Sequence, residues 1–352
     1  MTTRQRTRQR SAAAAILALT AAGSTLGLPA PAQATVPKVA ASWSSLMYRS
    51  LTHDAQLQAM RTSLATQQKA VRTWTAEVAA AGKAQRGAQA TLTTATSANT
   101  AAQTRWATAR TALSTARQNL SVAAKRKPRS TTAITKANTA VAAAVKTLTT
   151  RKTQAQAATA ALSAAGKASR AATTRVTKAN AAVAYMTAAA ATTRQAIAAL
   201  PTAESYAGQA ATLSKDVVNQ VRPVFKVTDT TQVYGVTVHK NIAFAFKRMV
   251  DDAKADGVQL SGGGFRTTQR QAELRVINGC PDVWTAPSSS CRVPTAIPGR
   301  SLHELGLAID ISSGGKTISS STPAFKWLKL HADEYGFVNL PAEAWHWSIS
   351  GN

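Results

Sequence analysis

The stretch SLHELGLAID, residues 301–310, sets a histidine, two carboxylates and a glycine within ten positions of a chain that carries only 15 acidic side chains, 42 basic ones and five histidines. A helical His-Glu-x-x-His metal motif is excluded, because position 307 is leucine. On one α-helix, His303 and Asp310 share a face but lie about 10 Å apart along the axis. On one straight strand they lie further apart still and on opposite faces. Neither arrangement brings two ligands to one ion with bonds of about 2 Å. A turn at Gly306 followed by a strand through LAIDI (307–311) does, with Asp310 facing inward beside Ala308. Glu304 then reads as a cap or an ion-pair partner rather than a catalytic base.

A metal centre of this type needs a third ligand. EAWHWS, residues 343–348, offers His346 between two tryptophans, with Glu343 three positions before it. Alone, His346 reads equally well as a core histidine; beside His303 and Asp310 it reads as the third ligand of one zinc ion. His331, by its place on a different helix, is expected on the solvent side.

Working outward, the chain of 352 residues has a net charge of +27 and an aromatic content of 5%. One ordinary core filling that length is excluded, and a long, alanine-rich, poorly buried region is implied. At the N-terminus, four arginines precede an apolar run over residues 12–22, and Ala32-Gln33-Ala34 supplies a small-x-small cleavage site. Residues 1–34 are therefore expected to be a secretory signal peptide, and the protein to be secreted, extracellular or wall-associated. No cysteine adjoins the cleavage site, which excludes lipidation there. In an exported chain the two cysteines, Cys280 and Cys291, read as one disulfide pinning a loop rich in Pro and Ser. The rival, half of a zinc knuckle, lacks further cysteines to complete it.

Between residues 57 and 123, Leu57, Leu64, Val71, Val78, Leu92, Trp106, Leu113 and Leu120 occupy one heptad position, interrupted by Gln85 and Asn99. A row composed mostly of alanines, from Ala81 to Ala123, lies three residues after them. A second seam runs from 132 to 200 through Ile134, Val141, Leu148, Leu162, Val176, Val183 and Ile197. KRKPRS at 125–130 separates the two, and Pro201 ends the second. The pattern predicts two helices of roughly 100 Å each, folded as an antiparallel coiled-coil hairpin over 52–200. Its alanine seam buries little area, so self-association is a further expectation. Residues 35–222 carry 25 basic and 4 acidic side chains, a net +21, against 13 and 11 in residues 223–352. The basic stretch reads either as attraction to anionic cell-wall polymers or as plain solvation. Export points away from nucleic acid.

From residue 223 onward the texture shortens. NIAFAFKRMVDDAKADG (241–257) predicts a helix with Ile242, Phe246, Met249 and Ala253 on one face. VQLSGGGF (258–265) predicts a strand entering a glycine turn, and RTTQRQAELRVING (266–279) a short helix. STPAFKWLKLHADEYG (321–336) has Thr322 as N-cap, Pro323 at the first helical position and Gly336 as stop. WHWSIS (345–350) is strand by content. Together these predict an α+β domain.

Three blocks in order carry a resemblance to a known family. Ser-x-His-x-x-Gly-x-Ala-x-Asp stands as Ser301, His303, Gly306, Ala308 and Asp310; Glu-x-x-His-Trp stands as Glu343, His346 and Trp347; and SGGGFRTTQRQ gives Arg266 and Gln271. Residues 235–352 thereby resemble the VanY-related zinc D,D-peptidases of the hedgehog/D-Ala-D-Ala-peptidase fold. Phe265 stands where that family usually has tyrosine. The resemblance implies one zinc on His303, Asp310 and His346, Glu343 as general base, and Arg266 as oxyanion stabiliser. It implies weaker roles for Gln271 and Ser301 in holding the substrate. The implied substrate is the stem peptide of peptidoglycan, cleaved as a D-Ala-D-Ala carboxypeptidase. An endopeptidase of the L-Ala-D-Glu type, or a non-catalytic wall-binding coiled coil with a vestigial peptidase domain, stay open. The expected organisation is a signal peptide (1–34), a linker (35–51), the hairpin (52–200), a linker (201–234) and the catalytic domain (235–352).

Overall fold

The computed structural model describes residues 37–352; the expected signal peptide, and the first two residues of the expected 35–51 linker, lie outside the described residues. Helix α1 spans Lys38–Lys125, α2 Thr131–Ala199 and α3 Ala203–Val221. A hairpin follows, β1 (Thr230–Val233) and β2 (Val236–His239), then α4 (Lys240–Ala255), β3 (Ser261–Gly263), α5 (Thr268–Ile277), β4 (Ala308–Ser313), β5 (Lys316–Thr317), α6 (Pro323–His331), β6 (Val338–Asn339) and β7 (His346–Ser348). Among the described residues, no helix is long and apolar enough to cross a membrane. The chain divides into two units, one of residues up to Met60 with Ile197–Asn352, the other Arg61–Ala196.

The second unit consists of most of α1 and α2 and the short connection between them. Gln85 bonds Thr173, Gln89 bonds Ser169 and Gln103 bonds Thr159, while Glu77 pairs with Arg175. Partners descend along α2 as α1 ascends, so the helices run antiparallel. The expected seam is the shielded side of α1, with Ala81, Ala109 and Leu113 buried on it. On α2, the gaps in the apolar row are filled by Ala155, Ser169 and Ala190, which are among its most buried residues. Small side chains there let the backbones approach, so burial follows closeness rather than size.

The first unit is built on a five-stranded sheet in the order β3-β4-β7-β6, with β5 paired to β4. Its strands pair antiparallel. Ile309 lies opposite Trp347 on the face that meets Phe325 of α6. Successive residues of a strand point to opposite faces, so Asp310 and His346, also paired, share the other face. Helix α4 buries Ile242, Phe246, Met249 and Ala253 as its spacing predicts. Thr322 caps α6 and the left-handed Gly336 ends the 3₁₀ turn that follows it. The buried polar tips of this layer are satisfied: Trp327 donates to Asp256 and Tyr335 to Asp252.

Two segments expected as linkers are structural. Residues from Lys38 onward are helical, and Ala40, Trp43 and Met47, at i, i+3 and i+7, are buried in the core of the first unit. Residues 203–221 form α3, with Ala210, Val217 and Val221 in the same core. Trp43 Nε1 donates to Ser214 Oγ at 3.2 Å, and Ser50 Oγ to the carbonyl of Ala203 at 2.8 Å. Each stretch alone is short and polar enough to read as a tether. Only the partner helix makes its apolar stripe a buried one. The β1–β2 hairpin, turning at Tyr234-Gly235 with both residues at positive φ, also falls partly in the expected 201–234 linker.

Trp43 is fully buried. Trp43→Ala is expected to lower the unfolding free energy of the first unit by roughly 3–5 kcal/mol, as measured by denaturant titration; an unchanged midpoint would show that 38–51 is a tether after all.

Candidate metal centre

The centre is assembled by a turn, a strand pair and two outer hydrogen bonds. A short 3₁₀ turn, His303–Leu305, ends at Gly306 with φ +66°, in the left-handed region. A side chain at 306 is refused twice, by that φ and by the amide nitrogen of His239, which a Cβ would approach to 2.7 Å. From this corner the chain enters β4, where Asp310 lies opposite His346 of β7 and Gly263 of β3. Cross-strand partners have Cβ atoms about 4.5–5.5 Å apart on one face, so the carboxylate and the imidazole meet by register. The turn and strand read from SLHELGLAID are the ones observed.

The facing atoms converge. His303 Nε2 lies 3.1 Å from Asp310 Oδ1 and 3.2 Å from His346 Nδ1, and His346 Nδ1 lies 3.1 Å from the same carboxylate oxygen. His303, Asp310 and His346 offer ligand atoms that all lie within 4.8 Å of one another. The outer nitrogens are committed. His303 Nδ1 donates to the carbonyl of Gly264 at 2.8 Å, and His346 Nε2 to the backbone oxygen of Asn352 at 2.9 Å. A carbonyl can only accept, so each outer nitrogen carries the proton and each neutral ring turns a lone pair inward. Two lone pairs and a carboxylate facing one point repel unless a cation lies between them. The donor set therefore fits one metal ion.

In the absence of a cation, the charges favour a proton in its place. Burial holds the His303 imidazole below its ordinary value. Burial alone would raise the Asp310 carboxyl, but hydrogen bonds and charge from the two histidines outweigh it and hold it below the usual carboxylate range. For His346, burial opposes the charged form, and the bond to Asp310 reverses the balance and raises it. His303 and His346 are nearly sealed, whereas the Asp310 side chain is 31% exposed, so the cluster opens to solvent on the carboxylate side.

Glu343 is half-buried, and burial pushes its carboxyl above the ordinary value; His346, Asp310 and Arg266 all act on it electrostatically. Asn339 fixes this corner, its amide donating to the carbonyls of Glu343 and His346. Nothing in the sequence marks Asn339, since both acceptors are backbone atoms brought to it by the β6–β7 pairing. Arg266 is largely buried, which lowers its pKa against the pull of Asp310, Glu304 and Glu343. Its Nη1 lies 3.5 Å from Asp310 Oδ2, and its Nε has no hydrogen-bond partner among the described residues.

Glu304 is the cap expected of it: its carboxylate accepts from the amides of Gly299 and Ser301. His331 pairs with Glu334 on the surface, away from the cluster. Gln271 and Ser301, expected at the substrate, are instead buried and turned to the chain itself. Gln271 Nε2 donates to the carbonyl of Ala296 at 2.7 Å, and Ser301 Oγ accepts from the amide of His303 at 3.3 Å. Gln271 packs against the 292–303 segment, which takes its amide nitrogen, while Gln271 Oε1 is left without a hydrogen-bond partner among the described residues. Cys280 and Cys291 are joined as expected. Arg275, fully buried, donates to the carbonyls of Asp282, Ala286 and Thr295 and so staples the same loop. The glycine run also has a physical cause. A Cβ at Gly262 would lie 2.2 Å from the carbonyl oxygen of Asp310, and one at Gly264 2.1 Å from that of Thr237.

Residues 235–352 match the family model VanY, D-alanyl-D-alanine carboxypeptidase. A D-alanyl-D-alanine carboxypeptidase of Enterococcus faecalis is 30% identical over 120 residues, 29% of this chain and 44% of the relative. The Bacillus subtilis protein YodJ is 35% identical over 107 residues, 29% of this chain and 38% of its own length. The chain thus spans less than half the length of either relative. A solved structure of a variant of the vancomycin-resistance D,D-pentapeptidase VanY, from a VanB-type cassette and in complex with Zn(II), matches 35% of this chain and 78% of its own, at 25% identity and a TM-score of 0.28. Residues 235–352 are thus similar to the VanY carboxypeptidase family.

Gly306→Ala is expected to cost at least about 1–2 kcal/mol from the left-handed backbone alone, with the contact to His239 adding to it, and to lower the melting temperature measurably. A variant that melts with the parent would mean that the corner before β4 is free to relax.

Proposed function

We propose that the C-terminal domain is a zinc peptidase that hydrolyses stem peptides of peptidoglycan, acting as a D-Ala-D-Ala carboxypeptidase. The convergence of His303 Nε2, Asp310 Oδ1 and His346 Nδ1, each imidazole already committed on its outer side, is the observation that carries this reading. Two imidazoles and one carboxylate make a three-ligand set of the kind that leaves a catalytic zinc an open position. When bound, zinc supplies a Lewis acid that polarises the scissile carbonyl and acidifies water.

The remaining work falls to side chains of this domain. Glu343, with its carboxyl raised by burial, takes a proton from water and returns it to the departing amine. Arg266 brings guanidinium N–H groups toward Asp310 from a buried position. There it favours negative charge growing on the carbonyl oxygen of the substrate. Asn339 keeps Glu343 and His346 in step. A vestigial, non-catalytic domain is disfavoured by the presence of every one of these groups. The substrate itself is suggested by the family description of residues 235–352.

In the same reading the protein is exported and acts outside the cell or at the wall. The paired helices form a coiled coil whose basic surface tethers the enzyme to anionic wall polymers, with self-association through its thin alanine seam. Their antiparallel hydrogen bonds and shielded heptad positions support the coiled coil.

Glu343→Gln is expected to retain stoichiometric zinc and lose hydrolysis of a pentapeptide stem by at least ~100-fold, followed by mass spectrometry of the released D-alanine. Parent-like turnover would remove Glu343 from its role. His331→Ala should change neither zinc content nor rate, and metal loss there would put the wrong histidine in the centre. Removing residues 61–196, with a short flexible joint in their place, should leave hydrolysis of a small soluble peptide within a few-fold. It should also weaken binding to isolated walls and flatten its salt dependence, because screening acts over about 10 Å at 0.1 M salt. Unchanged wall binding would reduce the helical charge to solvation.

A further inference from the structure

The segment after β7 folds back onto the metal centre. Ser348 is fully buried, two residues beyond His346 on the same face of β7. Its Oγ accepts from the amides of Gly351 at 2.9 Å and Asn352 at 3.1 Å, and donates to the backbone oxygen of Asn352 at 3.1 Å. That same oxygen takes the Nε2 proton of His346 at 2.9 Å. Gly351, at φ +75°, makes the reversal that returns Asn352 toward the ring.

We propose that Ser348 and the 351–352 turn are positioning elements for His346. They hold one backbone acceptor against Nε2, so that Nδ1 faces Asp310 and His303 with its lone pair free. The inference rests on the reading of these three residues as a metal site.

The chemistry gives the device its force. An imidazole presents a lone pair from only one of its two nitrogens when neutral, and the hydrogen bond at the other nitrogen decides which. His303 obtains this from Gly264, a residue locked between strands. His346 obtains it from a short turn that no sheet hydrogen bond holds. Without the Ser348 hydroxyl, three hydrogen bonds to that turn disappear at once, and the acceptor is free to leave Nε2. The ring then loses its tautomeric preference.

The test uses the full chain, with Ser348→Ala and, as a second variant, a chain ending at Ser350. Zinc affinity is read by competition with a chromophoric chelator. The His346 tautomer is read in the metal-free protein from its ring ¹⁵N shifts. Both variants are expected to bind zinc about 10–100-fold more weakly and to lose the uniform Nε2–H signature. Ser350→Ala removes a buried hydroxyl that has no hydrogen-bond partner among the described residues and should match the parent in both readouts. Parent-like affinity and tautomer in the two test variants would overturn the proposal while leaving the metal site standing. A parent that binds no zinc would overturn the site itself and the proposal with it. Should Ser348→Ala fail to fold, the shortened chain alone decides the matter. Unaltered zinc affinity in that chain overturns the positioning role.

Discussion

Asp310 sits directly across from His346 in the β4–β7 ladder, and the rest of the first unit serves that pairing. Strand periodicity is two, so a slip of one residue would carry either side chain to the far face and replace a ligand by Ile309 or Trp347. The register is held from both sides. Gly263 of β3 pairs with Asp310, Trp347 is sealed against Ile309, and α6 covers the apolar face. The centre is therefore a by-product of a sheet whose other face cannot be exposed without losing the core.

Around this pairing, many side-chain hydrogen bonds go to backbone atoms. Gly264, Asn352, Glu343 and His346 all contribute main-chain oxygens to the groups that fix the ligands. Arg275 is held by three carbonyls and Glu304 by two amides. Peptide carbonyls such as that of Gly264 carry no formal charge, so they orient the cluster without adding a second carboxylate to compete with Asp310 for the cation. This suits a domain whose charges nearly balance, 13 basic against 11 acidic from residue 223 on, while the surplus lies in the long helices.

The first unit is drawn from two separated stretches of chain, with Arg61–Ala196 between them. Its core includes Trp43 and Met47 from the start of α1 and Val217 and Val221 from α3. The first turns of α1 and the apolar stripe of α3 thus belong to the core of the sheet unit. A small sheet of short strands has limited apolar area to bury, and two additional helical stripes enlarge its core.

The ligands, the turn at Gly306, the strand through Asp310, the helices with their caps and the disulfide were all legible in the sequence. Each depends on spacing or on local chemistry: His303 and Asp310 seven positions apart, a heptad row, Thr-Pro before a helix, two cysteines in one loop. What tertiary structure alone decided is where ambiguous side chains spend their hydrogen bonds and which stripes find partners. Gln271 and Ser301 look available for substrate in one dimension, and the packed 292–303 segment takes them. Trp43 looks like part of a tether, and α3 with the 3₁₀ turn before Gly336 makes it core. Asn339 and Ser348 carry no motif, because their partners are backbone atoms delivered by folding. A sequence states which groups a residue possesses; only the closed fold settles which of those groups remain unsatisfied, since a buried polar atom can pair only with what the chain brings near.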